Sequence, residues 1–181
     1  DLIVTGVQTC ALPILNRLHK RWKKTDRCLV TTKEKIMANL EFIGMACALA
    51  LSALGSGLGA GAAAQAAVGG WKKCYANGKP APFIMVAFAG APLTQTIYGF
   101  LLMNFIAAAI AAGAASTLAL GVGVFGGLAI GLSAWMQGKV AANACDALAE
   151  TGKGTANYFI VIGIVETVAL FTLVFSLLAL Q

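Results

Sequence analysis

The chain has 181 residues, of which 59% are hydrophobic and only 11% are charged. A soluble domain carries about a quarter of its residues as charged side chains, and no Lys, Arg, Asp or Glu occurs in residues 80–138. The composition therefore excludes an ordinary soluble domain and predicts an all-α, multi-pass membrane protein. The net charge of +6 comes mostly from residues 1–36, which hold eight Lys/Arg and three Asp/Glu, so it does not indicate a nucleic-acid partner.

The first segment, residues 1–36, is predicted to be a non-native leader. Its residues 4–14, VTGVQTCALPI, look like the in-frame translation of a sequencing-library adapter. The residues KEKI before Met37 can be encoded by a purine-rich ribosome-binding site, so we expect the natural chain to begin at Met37 and exclude the leader from fold reasoning. The alternative is a real basic arm, LNRLHKRWKK, that lies on anionic lipid.

The residue types that support catalysis are scarce in this chain. The single histidine, His19, lies in the leader, so the remaining chain lacks the usual general base. The cysteines show no CxxC pair and no metal-ligand spacing, which indicates isolated thiols; they stand at positions 10, 28, 47, 74 and 145. We expect no enzyme activity in the chain itself and no organic cofactor.

The apolar blocks after Met37 predict four transmembrane helices in two hairpins. The spans cover about residues 40–68, 82–106, 117–148 and 156–180, which gives hairpin 1 over residues 37–108 and hairpin 2 over residues 109–181. Three lysines lie in the segment 71–82 and one, Lys153, in the segment 150–157, with Lys139 about three helical turns before it, whereas the segment between the second and third spans has no charge. Because Lys and Arg accumulate on the cytoplasmic side, we expect both segments in the cytoplasm and both termini outside.

The two hairpins carry traces of an internal duplication. The segment LSALGSGLGA at Leu51–Ala60 aligns with LSAWMQGKVA at Leu132–Ala141, with five of ten residues identical, and Gln95 aligns with Glu166. Internal repeats are common in membrane transport proteins. The first and third spans are also rich in glycine and alanine, which lets membrane helices approach closely. This pattern favours a crowded inner layer, as in a tight ring; the alternative is ordinary helix packing within one monomer, which periodicity does not exclude.

Glu166 is the one charged residue in the apolar run 157–180. A carboxylate near the bilayer centre costs roughly 2.5–3.5 kcal/mol on insertion scales, so ionisable residues in membrane helices are functional by default. Counted along the helices from the cytoplasmic loops, Gln95, Gln137 and Glu166 reach one level. Thr94 and Tyr98 lie close by, and the combined oxygens suit a hard cation, while the carboxylate alone suits a proton.

Four motifs resemble the proteolipid, or K subunit, of bacterial V-type (V/A-type) rotary ATPases, and the resemblance covers residues 37–181. They are GSGLGAG at 55–61, PLTQTIYGF at 92–100, MQGKVA at 136–141 and VETVALF at 165–171. The resemblance implies a homo-oligomeric ring in the bacterial inner membrane, coupled to ATP hydrolysis or synthesis. It also implies a central stalk at the cytoplasmic loops and a stator subunit whose arginine releases the ion.

The same resemblance implies a set of site residues. Na⁺ as the transported metal ion would be bound by Glu166, Gln137, Gln95 and Thr94, and by the backbone carbonyl of Ala91. Tyr98 would help to close the glutamate. Sodium-carrying members often have Leu at the position of Ala91, a change that a backbone ligand tolerates.

Three other functions compete with this interpretation. A proton-carrying c-type proteolipid of an ATP synthase has the same features, because one buried carboxylate binds either Na⁺ or H⁺. A tetraspan membrane scaffold without transport predicts an unreactive Glu166 and no ring. A small-molecule exporter predicts more than one polar level. One carboxylate in four helices gives few ions per turn and favours pumping by ATP hydrolysis.

Overall fold

The computed structural model describes the backbone of residues 2–181 and the side chains of residues 20–27 and 29–181. These residues form helices without any strand: α1 (Leu2–Ala76), α2 (Met85–Gly90), α3 (Thr94–Ala111), α4 (Ser116–Thr151) and α5 (Thr155–Ala179), with a 3₁₀ turn, Ala91–Leu93, between α2 and α3. Within this described part of the chain, four helical segments are long and apolar enough to cross a membrane. The predicted all-α membrane fold with four spans is confirmed. The leader motif at residues 4–14, His19, Cys10 and Cys28 lie outside the described side chains.

The chain divides into two compact units, Asp1–Asn39 and Leu40–Gln181. The division falls three residues after the predicted end of the leader at Ile36. Among the described side chains of the first unit, almost all are exposed, including the charged Lys24, Arg27 and Lys35. Every residue predicted to bind an ion lies in the second unit.

Glycines with positive φ end two helices of the second unit. Gly113 (φ 96°) follows α3 and Gly152 (φ 65°) follows α4, where the left-handed backbone of a C-terminal cap favours glycine. The turn between the hairpins therefore lies at residues 112–115, a few residues after the predicted boundary at residue 108. Helix α1 continues to Ala76, beyond the predicted end of the first span at residue 68.

Helices α1 and α4 cross in close backbone contact through glycine. A Cβ atom added at Gly55 would collide with the backbone of Gly131, and one added at Gly138 would collide with the backbone of Gly59. A Cβ atom added at Gly57, two residues from Gly55, would meet no atom of another element within 4 Å. Small residues at helix contacts let membrane helices approach closely without a hydrophobic driving force. Helix α4 also packs against α2, α3 and α5, so it is the central helix of this unit.

The apolar core of the second unit consists of two clusters on either side of a polar level. One cluster, towards the loop between α1 and α2, contains Met85, Phe88 and Leu148. The other, towards the turn between α3 and α4, contains Leu102, Ile106, Ile130 and Leu173. Between them lie the buried polar residues Ser52, Ser56, Gln95, Ser133 and Gln137. Buried polar groups need hydrogen-bond partners, so this level holds the candidate site.

Candidate ion-binding site

The site forms where the second span is interrupted. Pro92 stands in the 3₁₀ turn between α2 and α3, and proline both removes an i→i−4 hydrogen bond and clashes with the preceding turn. The regular helix therefore stops before Pro92 and resumes at Thr94. The carbonyl of Ala91 accepts a hydrogen bond from the N–H of Thr94, and its oxygen lies 3.0 Å from the hydroxyl oxygen of Thr94. The interruption thus brings a backbone oxygen beside the Thr94–Gln95 pair.

The carboxylate of Glu166 accepts hydrogen bonds from α3 and α4. Its Oε1 accepts from the hydroxyl of Thr94 at 2.7 Å and from the hydroxyl of Tyr98 at 2.8 Å. Its Oε2 accepts from Nε2 of Gln137 at 3.2 Å. Thr94 and Tyr98 are four residues apart on α3, so they share one helix face. Among the described side chains, no lysine or arginine pairs with this carboxylate.

A backbone carbonyl sets the orientation of the two glutamine side chains. Nε2 of Gln137 donates to the carbonyl of Ile162 at 3.2 Å, and a carbonyl can only accept. The oxygen of Gln137 must then point the other way, where it accepts from Nε2 of Gln95 at 2.6 Å. This in turn directs Oε1 of Gln95 towards the hydroxyl of Thr94, 3.1 Å away. This chain of hydrogen bonds, which starts at the carbonyl of Ile162, therefore directs the side-chain oxygen of Gln95 into the site.

The hydroxyl of Thr94 lies at the centre of an oxygen cluster. It is within 3.1 Å of three oxygens, namely the carbonyl of Ala91, Oε1 of Gln95 and Oε1 of Glu166. One hydroxyl carries one hydrogen, so at most one of these three contacts is a hydrogen bond donated by Thr94. The other two bring oxygen lone pairs together. Carboxylate, carbonyl and hydroxyl oxygens are the ligands of hard cations, so the cluster can bind a cation without any side chain moving far.

The structure brings together all six residues that the sequence singles out. Gln95 and Gln137 are fully buried, with 0% exposure, whereas Ala91, Thr94, Tyr98 and Glu166 are partly exposed. The site therefore opens at one side of the unit, where α3 and α5 meet. Exposed apolar side chains lie one turn away on the same two helices, Ile97 after Thr94 on α3 and Leu170 after Glu166 on α5. An apolar rim of this kind suits lipid or another protein surface.

Sequence reasoning missed three features of this level. The break at Pro92 has a readable signal, a proline inside an apolar run. The carbonyl of Ile162 has none, because every residue type supplies the same backbone oxygen. Ser133, whose hydroxyl donates to the carbonyl of Val165 at 2.9 Å, ties α4 to α5 beside the glutamate. Serine is common at helix contacts in membranes and gave no specific signal.

A second carboxyl group lies far from the site. Glu41, near the start of the second unit, accepts a hydrogen bond from the buried Ser116 at 2.5 Å. Ser116 begins α4, 21 residues before Gln137, which corresponds to about 30 Å along a helix. Of the five cysteines, Cys47, Cys74 and Cys145 are free thiols. Among the described residues, no group of three or more His, Cys, Asp or Glu side chains could hold a metal ion.

The chain matches a model of a known protein family. The family model that describes the C subunit of ATP synthase matches residues 120–179, which include nearly all of α4 and the whole of α5. Gln137 and Glu166 lie inside the matched segment, whereas Thr94, Gln95 and Tyr98 lie outside it. No curated protein matches the chain. Members of this family are non-catalytic, ion-translocating proteolipids that form homo-oligomeric rings in ATPase complexes.

Proposed function

We propose that this chain, whose residues 120–179 match the C-subunit family of ATP synthases, is the Na⁺-carrying rotor-ring proteolipid of a bacterial V-type ATPase. The family gives the coarser function, an ion-translocating ring proteolipid in a multi-pass membrane location. To this we add the ion, the type of complex and the orientation. Each chain carries one Na⁺ at Glu166, and both termini face away from the cytoplasm.

The oxygen cluster around Thr94 is the observation that supports Na⁺ over H⁺. A proton on Oε1 of Glu166 could be donated to Thr94, and Thr94 could then donate to the carbonyl of Ala91. Oε1 of Gln95 would still face the Thr94 oxygen at 3.1 Å without a hydrogen between them. A cation among these oxygens interacts favourably with all of them and relieves this remaining contact. The donor set therefore fits a desolvated cation better than a proton.

Loading changes the charge of the site and therefore the free energy of exposing it to lipid. An ionised carboxylate in the bilayer costs several kcal/mol, and Glu166 has no basic partner among the described side chains. With Na⁺ bound, the carboxylate and the cation neutralise each other, and Tyr98 and Gln137 keep both carboxylate oxygens in place. A loaded protomer can then move past lipid, while an empty one needs a cationic group. An arginine of a stator subunit would meet that need.

The assignment to a V-type pump rests on the number of charges in the chain. Hairpin 2 carries Glu166, and the equivalent position of hairpin 1 is Gln95, so four helices carry one ion. Fewer ions per turn mean a larger driving force per ion from each ATP hydrolysed, which favours pumping. The charged groups at the ends of α1 and α4, where Lys73 pairs with Glu150 at 2.7 Å and with Asp146 at 3.3 Å, form the side that we assign to the central stalk and the cytoplasm.

Carbodiimide labelling of the purified ring, with mass spectrometry of the labelled residue, tests the proposal. Carbodiimides react with protonated, accessible carboxyl groups, and a bound cation excludes that proton. We expect labelling at Glu166 that NaCl blocks and KCl does not. Glu41 serves as an internal reference, since its labelling should not respond to Na⁺. Labelling of Glu166 that is indifferent to Na⁺ would instead identify a proton carrier, and no labelling would favour a membrane scaffold.

A further inference from the structure

One buried hydroxyl at the level of the site lacks a partner within the described part of the chain. Ser56 on α1 is 1% exposed, and its Oγ has no hydrogen bond among the described residues. Ser52, one turn earlier, is equally buried and donates to the carbonyl of Ala48 at 2.8 Å. A helical serine often donates to the carbonyl four residues before it, as Ser52 does, yet Ser56 makes no such bond. A buried polar group without a partner costs free energy and requires an explanation.

The register between α1 and α3 places Ser56 opposite Gln95. A Cβ atom added at Gly99 would touch the side chain of Ser52, and a Cβ atom added at Gly59 would lie 3.1 Å from Cβ of Pro92. The two helices therefore run antiparallel, with 52 beside 99 and 59 beside 92. In this register the partner of position 56 is position 95.

Gln95 has a matching unused group. Its Nε2 carries two hydrogens, and one is donated to Oε1 of Gln137 at 2.6 Å. Among the described residues no acceptor takes the second hydrogen, although Gln95 is fully buried. The register therefore places the unpartnered hydroxyl of Ser56 opposite the second N–H of Gln95, which has no acceptor among the described residues.

We propose that Ser56 is a positioning residue for the ion site, joined to Nε2 of Gln95 through one buried water. Buried waters typically bridge polar groups that otherwise lack partners. This bond holds the nitrogen of Gln95 towards α1 and thereby keeps Oε1 beside Thr94, where the ion is bound. Ser56 acts on the ion only through Gln95. The inference rests on the proposed Na⁺ function, and it extends the site to α1, the one span that otherwise contributes no group to it.

The internal repeat gives the position a second meaning. Ser56 stands where hairpin 2 has Gln137. Gln137 orients Glu166, and in the proposal Ser56 orients Gln95, the residue equivalent to Glu166. In each hairpin, the residue at this position of the first helix then orients the polar side chain on the second helix. The longer Gln137 reaches its target directly, whereas the shorter Ser56 needs a water.

The test compares Ser56→Ala with Ser52→Ala in the intact ring. The measured quantity is the NaCl concentration that halves carbodiimide labelling of Glu166. We expect Ser56→Ala to raise this concentration about five-fold, the effect of losing one buried hydrogen-bond partner. Ser52→Ala should leave it unchanged, because Ser52 donates its one hydrogen to the carbonyl of Ala48 in its own helix. A cryo-electron microscopy map of the unsubstituted ring should show water density between Ser56 and Gln95.

The results distinguish a failure of the Ser56 proposal from a failure of the proposed Na⁺ function. Equal half-protection concentrations for Ser56→Ala and the unsubstituted ring, with Na⁺ protection intact, would overturn this inference and leave the proposed function standing. A rise in thermal stability of Ser56→Ala without any change in Na⁺ protection would show that the hydroxyl is idle. If Na⁺ fails to protect Glu166 even in the unsubstituted ring, the Na⁺ function is wrong and the inference falls with it.

Discussion

In hairpin 1 the positions equivalent to Gln137 and Glu166 of hairpin 2 are Ser56 and Gln95. The two hairpins run in the same direction and contact each other through the glycines of α1 and α4. Their polar residues nevertheless have different roles. Hairpin 2 supplies the charge and the group that orients it. Hairpin 1 supplies neutral oxygens from Ala91, Thr94 and Gln95, along with the phenol of Tyr98.

The difference in burial explains why the charge belongs to hairpin 2. Gln95 is fully buried at the centre of the unit, while Glu166 is partly exposed where α3 and α5 meet. A carboxylate that must exchange its ion needs access from outside the unit, and a carboxylate at position 95 would have none. In the proposed function, hairpin 1 therefore supplies ligands to the ion that the carboxylate of hairpin 2 binds.

The largest effect on Na⁺ transport is expected from removing the carboxylate of Glu166. Glu166→Gln makes both hairpins neutral at this position, and it should abolish Na⁺ transport by the reconstituted complex and all Na⁺-sensitive carbodiimide labelling. The measurement is ²²Na⁺ uptake into proteoliposomes driven by ATP. Glu41→Gln is the matched control and should keep normal uptake, since Glu41 lies far from the site and contacts Ser116.

A double variant sharpens the same comparison. Glu166→Gln combined with Gln95→Glu keeps one carboxyl group per chain but moves it into hairpin 1. Because position 95 is buried at 0% exposure, we expect this chain to remain inactive. Recovery of ATP-driven ²²Na⁺ uptake would mean that the hairpins are interchangeable and that burial does not decide which one carries the charge.

The next largest effect is expected at Gln137. Replacement by Leu removes the donor to Oε2 of Glu166 and to Ile162 and the acceptor for Gln95. A hydrogen bond to a charged group contributes about 1.5–3 kcal/mol, so Na⁺ affinity should fall about 100-fold in a labelling-protection assay, while any proton transport is spared. Gln65→Leu, an exposed glutamine on α1, is the control. Unchanged Na⁺ dependence in Gln137→Leu would show that hairpin 2 does not orient its own carboxylate.

The contact between the hairpins can be tested separately from the site. Gly55→Ala places a methyl group against the backbone of Gly131, and overpacking of this kind costs typically 1–3 kcal/mol. Gly57→Ala has open space and should be neutral or slightly stabilising, because alanine is the better helix former. Thermal unfolding of the purified ring should therefore separate two substitutions only two residues apart. Equal midpoints would contradict the close α1–α4 crossing.

The smallest effect at the site is expected from Tyr98→Phe. The phenol donates to Oε1 of Glu166 at 2.8 Å from a partly exposed position, so we expect Na⁺ affinity to fall only about five-fold. Tyr75→Phe, 71% exposed near the end of α1, should have no effect. A loss as large as that of Gln137→Leu would mean that hairpin 1 holds the carboxylate as firmly as hairpin 2 does.

Much of this molecule can be predicted from its sequence because the bilayer restricts what a chain can do. Apolar runs of membrane length can only be helices or barrel strands, and one glutamate in such a run marks a site. Counting residues along helices then puts Gln95, Gln137 and Glu166 at one level. The remaining contacts depend on helix rotation and on backbone atoms. No residue pattern predicts that the carbonyl of Ile162 faces Gln137, or that Ser56 lies opposite Gln95.

The central claim is that one chain binds one Na⁺, at Glu166 and through both hairpins. The most direct test is the stoichiometry of ²²Na⁺ bound to the purified ring at saturating NaCl, normalised to the number of chains by quantitative amino-acid analysis. We expect one Na⁺ per chain, and none in Glu166→Gln. A ring that binds no ²²Na⁺, or one that keeps its ²²Na⁺ when Glu166 is replaced, would contradict the claim.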